Sequence, residues 1–202
     1  MAVIHPWLEP LWTRWRSLGE RAPHALLIAG APGLGKRDLA EAIAAGRLCD
    51  APRADGQACE LCLPCQWRMS GNHPDLHRLS LENREAPSPS DEGEGEGDEP
   101  GSARPAKSAP TQIVIDQVRA VQEALCVTAH RGGGRVVIVD PAEAMNPFTA
   151  NALLKLLEEP PGGCTFLLVS SAPRRLSAQG GGALLERFVS DLSTVDPLRL
   201  AA

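Results

Sequence analysis

The chain has 202 residues, 43% of them hydrophobic, which is enough for one domain with a full core, or for one domain and a fragment of another. No stretch of about 18 apolar residues occurs, and the N-terminus lacks the positive region and apolar run of a secretory signal, so we expect a cytoplasmic protein without a membrane span. The formal net charge of −5 comes from one acidic segment, so overall charge neither favours nor excludes contact with nucleic acid.

The first predicted element is a short strand that leads into a glycine-rich loop. Residues 25–29, Ala-Leu-Leu-Ile-Ala, form a continuous apolar run typical of a buried parallel strand. The loop after it, GAPGLGKR at 30–37, fits the phosphate-binding pattern G-x-x-x-x-G-K-[ST] at every position except the last. A helix with Leu39, Ile43 and Leu48 on one side is predicted to follow. Strand, loop and helix in this order are the setting that the motif requires.

The loop carries most of the groups that bind a nucleotide phosphate, but one is replaced. Gly30, Gly33 and Gly35 allow backbone N–H groups to turn towards a phosphate, and Lys36 adds a positive charge at the helix N-terminus. Arg37 stands where a Ser or Thr hydroxyl normally binds Mg²⁺, and a guanidinium offers donors only. The sequence predicts a degenerate nucleotide-binding site and leaves binding of ATP and Mg²⁺ open. The alternative is a glycine-rich turn with no ligand.

Four of the six cysteines follow this helix at close spacing. Their pattern, C-x₉-C-x₂-C-x₂-C, suits a tetrahedral Zn²⁺ site that has no open position for water. In a cytosolic chain such a cluster favours metal over disulfides, and the alternatives are buried free cysteines or a redox pair. We therefore predict a structural zinc module over residues 49–65, with the ligands Cys49, Cys59, Cys62 and Cys65. The other two, Cys126 and Cys164, are interpreted as buried small residues.

A second strand is predicted over residues 75–81, and a long polar segment follows it. Residues 82–112 are rich in Gly, Pro, Ser and acids, and positions 82–110 contain eight acids and three bases. A segment of this composition cannot bury enough apolar area to fold, so we predict a disordered insertion without a specific function. Residues 1–81 and 113–176 are then the two halves of a single domain.

Strands and helices alternate again after the insertion. Asp116 is predicted to cap a helix that extends to Thr128. An apolar strand over residues 135–140 is followed by a helix that begins at Asn146-Pro147 and ends at Pro160-Pro161, and then by a strand over 165–169. This alternation predicts an α/β fold in which helices cover both faces of a parallel sheet.

The strand over residues 135–140 supplies the second half of an ATPase site. Asp140, at its end, is placed to approach Mg²⁺, although a simple turn acid is the alternative interpretation. The next position in an ATPase is a Glu that polarises the attacking water, and here it is Pro141. Glu143 lies two residues further on, and we do not expect it to compensate. Because both halves of the site depart from the pattern, weak or absent ATP hydrolysis is predicted.

Several motifs together carry a resemblance to a known family. They are HALLIAGAPGLGK, the four-cysteine insertion, GNHPD at 71–75 and NALLKLLEEPP at 151–161. Over residues 5–176 the chain resembles the AAA+ clamp-loader family, and within it the delta-prime subunits of bacterial DNA polymerase III. The resemblance implies an AAA+ P-loop NTPase-like domain with an inserted zinc module, part of a hetero-oligomer that opens a sliding clamp and places it on primed DNA.

The resemblance also implies partners and a role. The partners are the other loader subunits, delta and gamma/tau, with the sliding clamp and primed DNA reached through the complex. The resemblance implies that a delta-prime subunit is a rigid part of the loader against which the ATP-using subunits move. It therefore implies no catalytic residue in this chain. Ser170 stands where the family has its sensor residue.

Residues 177–202 depart from the family pattern. The family continues after Leu176 into Ser-Arg-Cys, whose Arg reaches a neighbour's ATP, and this chain contains no such motif. Arg187 is not a substitute, because its neighbours do not match. We expect an atypical tail with the lid and collar domains absent, and the arginine-finger role is left open.

Two other functions are compatible with parts of the sequence. The first is an ATP-hydrolysing gamma/tau-like motor subunit of the same loader, which Arg37 and Pro141 oppose. The second is an unrelated P-loop kinase or zinc-binding module. Nucleotide binding would discriminate the first from a delta-prime role, and copurification with loader subunits would discriminate the second.

Overall fold

The computed structural model describes residues 4–81, 112–126, 134–176 and 190–191. The predicted acidic insertion, except its last residue, lies outside these ranges, as do Arg187 and most of the predicted tail. The helices are α1 Glu9–Leu18, α2 Lys36–Leu48, α3 Leu63–Met69, α4 Ile115–Cys126, α5 Pro147–Glu158 and α6 Pro173–Leu176. The strands are β1 Ala25–Ala29, β2 Leu76–Ser80, β3 Arg135–Asp140, β4 Cys164–Ser170 and β5 Ser190–Asp191.

The strands form one parallel sheet in the order β2-β3-β4-β1-β5. Ala29 at the end of β1 pairs with Ser170 at the end of β4, and Val139 near the end of β3 pairs with Leu168. The carboxyl ends of the three central strands therefore meet at one edge, which is where parallel α/β sheets bind their ligands. The phosphate-loop pattern, Asp140 and Ser170 all lie at this edge.

Helices cover both faces of the sheet, as the sequence predicts. Alternate side chains of each strand enter opposite cores because successive residues of a strand point to opposite faces. One core lies against α4 and α5 and contains Val118, Val121, Val137, Leu153, Leu157 and Phe166. The other lies against α1 and α2 and contains Trp12, Leu26, Ile28, Leu39, Ile43 and Leu167. Burial on both faces explains why β1, β3 and β4 read as continuous apolar runs.

Two sequence predictions about α4 are wrong in detail. Asp116 lies inside the first turn of α4 and does not cap it. Gln117 is the polar residue that organises this end, since its Oε1 accepts a hydrogen bond from Val114 N at 3.3 Å and its Nε2 donates to Ser80 O at 3.1 Å. Cys126 is exposed rather than buried, because it follows Leu125 on the outer side of the buried stripe, whereas Cys164 is buried as predicted.

The start of α5 is as predicted, and the helix ends at Glu158, two residues before Pro160. Asn146 Oδ1 accepts a hydrogen bond from Thr149 N at 2.8 Å, which is a side-chain N-cap, and Pro147 is the first helical residue.

Within the described ranges, no helix is long and apolar enough to cross a membrane.

Candidate functional site

The glycine loop connects β1 to α2 in the manner of a phosphate loop. Gly33 and Gly35 have φ angles of 80° and 75°, which favour glycine. A Cβ on Gly35 would lie 2.3 Å from His5 Cδ2, so a side chain there would displace the His5 ring. Gly30 N donates a hydrogen bond to Ser170 O at 3.2 Å, which ties the loop to the end of β4. The backbone of the motif is therefore retained.

The Lys36 side chain is folded back into the loop. It is 5% exposed, and its Nζ donates to Ala31 O at 2.8 Å and to Ser171 Oγ at 3.0 Å. Burial lowers the pKa of this ammonium, and the carboxylates of Glu143 and Asp140 oppose that shift. Lys36 thus lies where the motif places it, at the N-terminus of α2 and close to two acids.

Arg37 and Asp140 form an ion pair across the loop edge. Arg37 Nε lies 3.4 Å from Asp140 Oδ2, with the two side chains 55% and 20% exposed. Burial raises the pKa of the Asp140 carboxyl, and the Arg37 guanidinium opposes the rise. Sequence reasoning named both residues separately but did not foresee the pair, because their proximity depends on how β3 packs beside α2.

Glu143 and Ser170 also lie at this edge. Glu143 Oε1 accepts a hydrogen bond from Ser171 N at 3.0 Å, so this acid contacts the residue that follows the predicted sensor position. Ser170 is fully buried, and its Oγ accepts from Ala172 N at 3.2 Å. Its hydroxyl therefore helps to shape the turn after β4.

An N-terminal segment that the sequence analysis missed lies over the loop. The rings of His5 and Trp7 stack with centroids 4.8 Å apart, His5 Nε2 lies 3.0 Å from Asp38 Oδ2, and Trp7 Nε1 donates to Leu34 O at 3.0 Å. The missing Cβ of Gly35 is what allows His5 to approach this closely.

The four predicted cysteine ligands converge on one point. The Sγ atoms of Cys49, Cys59, Cys62 and Cys65 all lie within 4.8 Å of one another. Cys49 Sγ is 3.8 Å from Cys62 Sγ, and Cys59 Sγ is 4.0 Å from Cys65 Sγ. Four sulfurs held tetrahedrally at about 2.3 Å from a Zn²⁺ ion are separated by about 3.8 Å. The two Sγ–Sγ distances are close to this separation, so the cluster could hold a metal ion.

The backbone around Cys59 directs N–H groups at sulfur. Leu61 N and Cys62 N donate to Cys59 Sγ at 3.5 and 3.3 Å, and these hydrogen bonds lower the pKa of the thiol to about 6. Cys59 N in turn donates to Cys49 Sγ at 3.3 Å. The turn requires Glu60 at φ 63°, an angle that few residues other than glycine adopt. Donors of this kind stabilise a thiolate, the form in which cysteine binds metal.

The cysteine loop is fastened to α1 and α2 by contacts outside the cluster. Trp12 Nε1 donates to Asp55 O at 3.0 Å, and Arg16 Nη2 donates to Ala54 O at 2.7 Å. The loop backbone passes so close to α2 that a Cβ on Gly46 would lie 2.6 Å from Gly56 O. The cluster is thus joined to the same helix that begins at the phosphate loop.

A parallel sheet covered by helices, with a glycine loop and an acid at its strand ends, defines an α/β domain, and comparisons narrow the class of protein. A solved structure of a DNA polymerase III gamma subunit-related protein from Thermotoga maritima matches 94% of this chain and 47% of its own, with a TM-score of 0.53 and 17% identity. This likeness shows the fold alone.

Sequence relatives identify the family. A family model described as DNA polymerase III, delta subunit matches residues 15–178. DNA polymerase III subunit delta' of Pseudomonas aeruginosa is 43% identical over 87% of this chain, and that of Escherichia coli is 34% identical over 86%. This chain therefore belongs to the DNA polymerase III delta-prime family. It spans 45% of the length of each of these two relatives.

Proposed function

We propose that this chain serves as the delta-prime subunit of a DNA polymerase III clamp loader. In this role it joins delta and the ATP-hydrolysing gamma/tau subunits in a hetero-oligomer that loads the sliding clamp on primed DNA. Support comes from the family, since the Pseudomonas and Escherichia relatives are named as this subunit. The proposal includes the assignment of the domain as AAA+. Its first half is residues 1–81, which contain the zinc module at 49–65, and its second half is residues 113–176.

The observation that carries the non-catalytic part of the role is the Arg37–Asp140 ion pair. A motor subunit needs a hydroxyl after the loop lysine and an acid beside the strand-end Asp, to bind Mg²⁺ and to polarise water. This chain has Arg37 and Pro141 at those positions, and the Arg37 guanidinium forms an ion pair with the Asp140 carboxylate. The domain therefore has a structural role in the loader, through its contacts with neighbouring subunits, while other subunits hydrolyse ATP.

Structural Zn²⁺ is the cofactor that we propose for the cysteine cluster. Cys49, Cys59, Cys62 and Cys65 would fill all four positions of a tetrahedral ion, which leaves none for substrate or water. Bound zinc would cross-link the loop that follows α2. Its contribution is therefore to folding rather than to chemistry.

Copurification from the native host tests the proposed role. An affinity-tagged copy of the chain should coelute with delta and gamma/tau subunits, as identified by mass spectrometry. A tagged wild-type chain that folds and elutes without loader subunits would contradict the proposal.

Turnover of the purified chain tests the catalytic part separately. We expect ATP hydrolysis no faster than that of Lys36→Ala, because that substitution removes the loop ammonium from the phosphate site. A wild-type turnover within the ordinary range of working enzymes, about 1–1,000 per second, would instead support the motor-subunit alternative.

A further inference from the structure

The charged side chains at the phosphate-loop edge neutralise one another. Lys36 and Arg37 supply two positive charges, and Asp140 and Glu143 supply two negative charges. Arg37 lies 3.4 Å from Asp140, and Asp140 and Glu143 both act electrostatically on Lys36. In a P-loop site that works with Mg²⁺, the strand-end acid faces the metal. Here a side chain of the same domain supplies the positive charge that faces it.

The residues present do not fit Mg²⁺. The ion requires oxygen ligands at about 2.0–2.1 Å in octahedral geometry, and the position that normally gives a hydroxyl oxygen is Arg37, which offers only N–H donors. A guanidinium 3.4 Å from Asp140 Oδ2 also repels a divalent cation that approaches the same carboxylate. Two separate defects, a missing ligand and a competing charge, therefore coincide in one residue.

We propose that Arg37 acts as a built-in cation that takes the place of Mg²⁺ at Asp140 and excludes the magnesium–nucleotide complex from this subunit. This inference rests on the proposed function, and it names the residue that keeps the site out of the ATP cycle. Arg37 is a blocking residue whose effect is carried by charge. The side chain is 55% exposed, so the pair holds the edge together only weakly, and removing it should leave the fold intact.

The blocking role makes a prediction that a missing hydroxyl alone does not make. If the hydroxyl were the sole defect, Arg37→Ala would bind no better than the wild type, since alanine also lacks an oxygen. If the guanidinium excludes the ion, Arg37→Ala should gain affinity and Arg37→Thr should gain more. Arg37→Lys keeps a positive charge beside Asp140 and should gain nothing, which makes it the matched control.

Calorimetric titration of the full chain with ADP, with and without Mg²⁺, tests the proposal. We expect Arg37→Thr to bind Mg²⁺–ADP at least about tenfold more tightly than the wild type, and Arg37→Ala to lie between them. The gain should require Mg²⁺, and it should disappear in the double variant Arg37→Thr/Asp140→Asn, because the carboxylate that faces the ion is then neutral. Circular dichroism melting establishes that each variant is folded.

The contrary results are equally specific. A folded Arg37→Ala protein with the affinity of the wild type would overturn the proposal, even if Arg37→Thr gains affinity, because the missing hydroxyl would then be the sole defect. A wild type that binds Mg²⁺–ADP as tightly as Arg37→Thr would overturn it as well. Copurification with loader subunits separates this failure from that of the proposed function. A chain that still coelutes with those subunits, but whose variants gain no affinity, remains a delta-prime subunit in which Arg37 does not block the site.

Discussion

The two ends of α2 illustrate two fates of a ligand site. At its N-terminus the phosphate loop keeps its glycines and Lys36, but Arg37 pairs with the strand-end acid. At its C-terminus Cys49 joins three other cysteines whose sulfur atoms have the spacing of a tetrahedral ion. The contrast is between a loop whose backbone is retained while one side chain departs from the motif, and four thiols close enough together to hold a metal ion.

The largest expected effect comes from breaking the cysteine end. Cys65 is 2% exposed, and Cys65→Ser should remove the metal and lower the free energy of unfolding by on the order of 3 kcal/mol. Elemental analysis and thermal melting measure the two changes. The control is Cys126→Ser, at an exposed cysteine outside the cluster, which should keep both metal and melting temperature. Equal metal content in both variants would rule out the Cys₄ site.

The contact between α2 and the cysteine loop should give the next largest effect. Gly46→Ala places a Cβ 2.6 Å from Gly56 O, a backbone atom that cannot move alone. We expect a loss of about 1–3 kcal/mol, although alanine favours a helix by about 1 kcal/mol over glycine. Gly162→Ala, where a Cβ meets no heavy atom within 4 Å, is the control. A Gly46→Ala protein that is more stable than wild type in denaturant would show that the loop is not clamped to α2.

The N-cap of α5 lies outside both ends of α2, so a substitution there should change stability without changing the cysteine cluster. Asn146→Ala removes the hydrogen bond to Thr149 N and should cost about 1 kcal/mol. Asn151→Ala, at an exposed position in the middle of the same helix, should be neutral or slightly stabilising. Chemical denaturation measures both, and metal content should stay at the wild-type level. An equal loss of stability for the two substitutions would show that the Asn146 side chain does not stabilise α5 as its N-cap.

The smallest stability effect should come from Arg37. Because the ion pair with Asp140 is more than half exposed on the arginine side, Arg37→Ala should change the free energy of unfolding by less than about 1 kcal/mol. Urea unfolding of the two proteins measures the difference. A loss of several kcal/mol would mean that the ion pair stabilises the fold, and would contradict a role limited to blocking Mg²⁺ at Asp140.

The sheet and one site were accessible from the sequence because their signals are local. Apolar runs buried on both faces mark β1, β3 and β4, and the cysteine spacing marks the cluster. The polar two-residue β5, Ser190–Asp191, has no such pattern, and α1 was missed although Leu11, Trp12 and Trp15 form a buried stripe. The Arg37–Asp140 pair was inaccessible because it joins residues on separate elements that only the sheet order brings together.

Native mass spectrometry of the full chain, purified without chelator and mixed with Mg²⁺–ADP, tests the contrast between the two ends of α2 in one spectrum. We expect the folded chain to carry a single Zn²⁺ ion and no ADP, because we propose that the cysteine cluster binds the metal and that Arg37 excludes the magnesium–nucleotide complex. A folded chain that carries stoichiometric ADP, or that lacks zinc, would contradict the account.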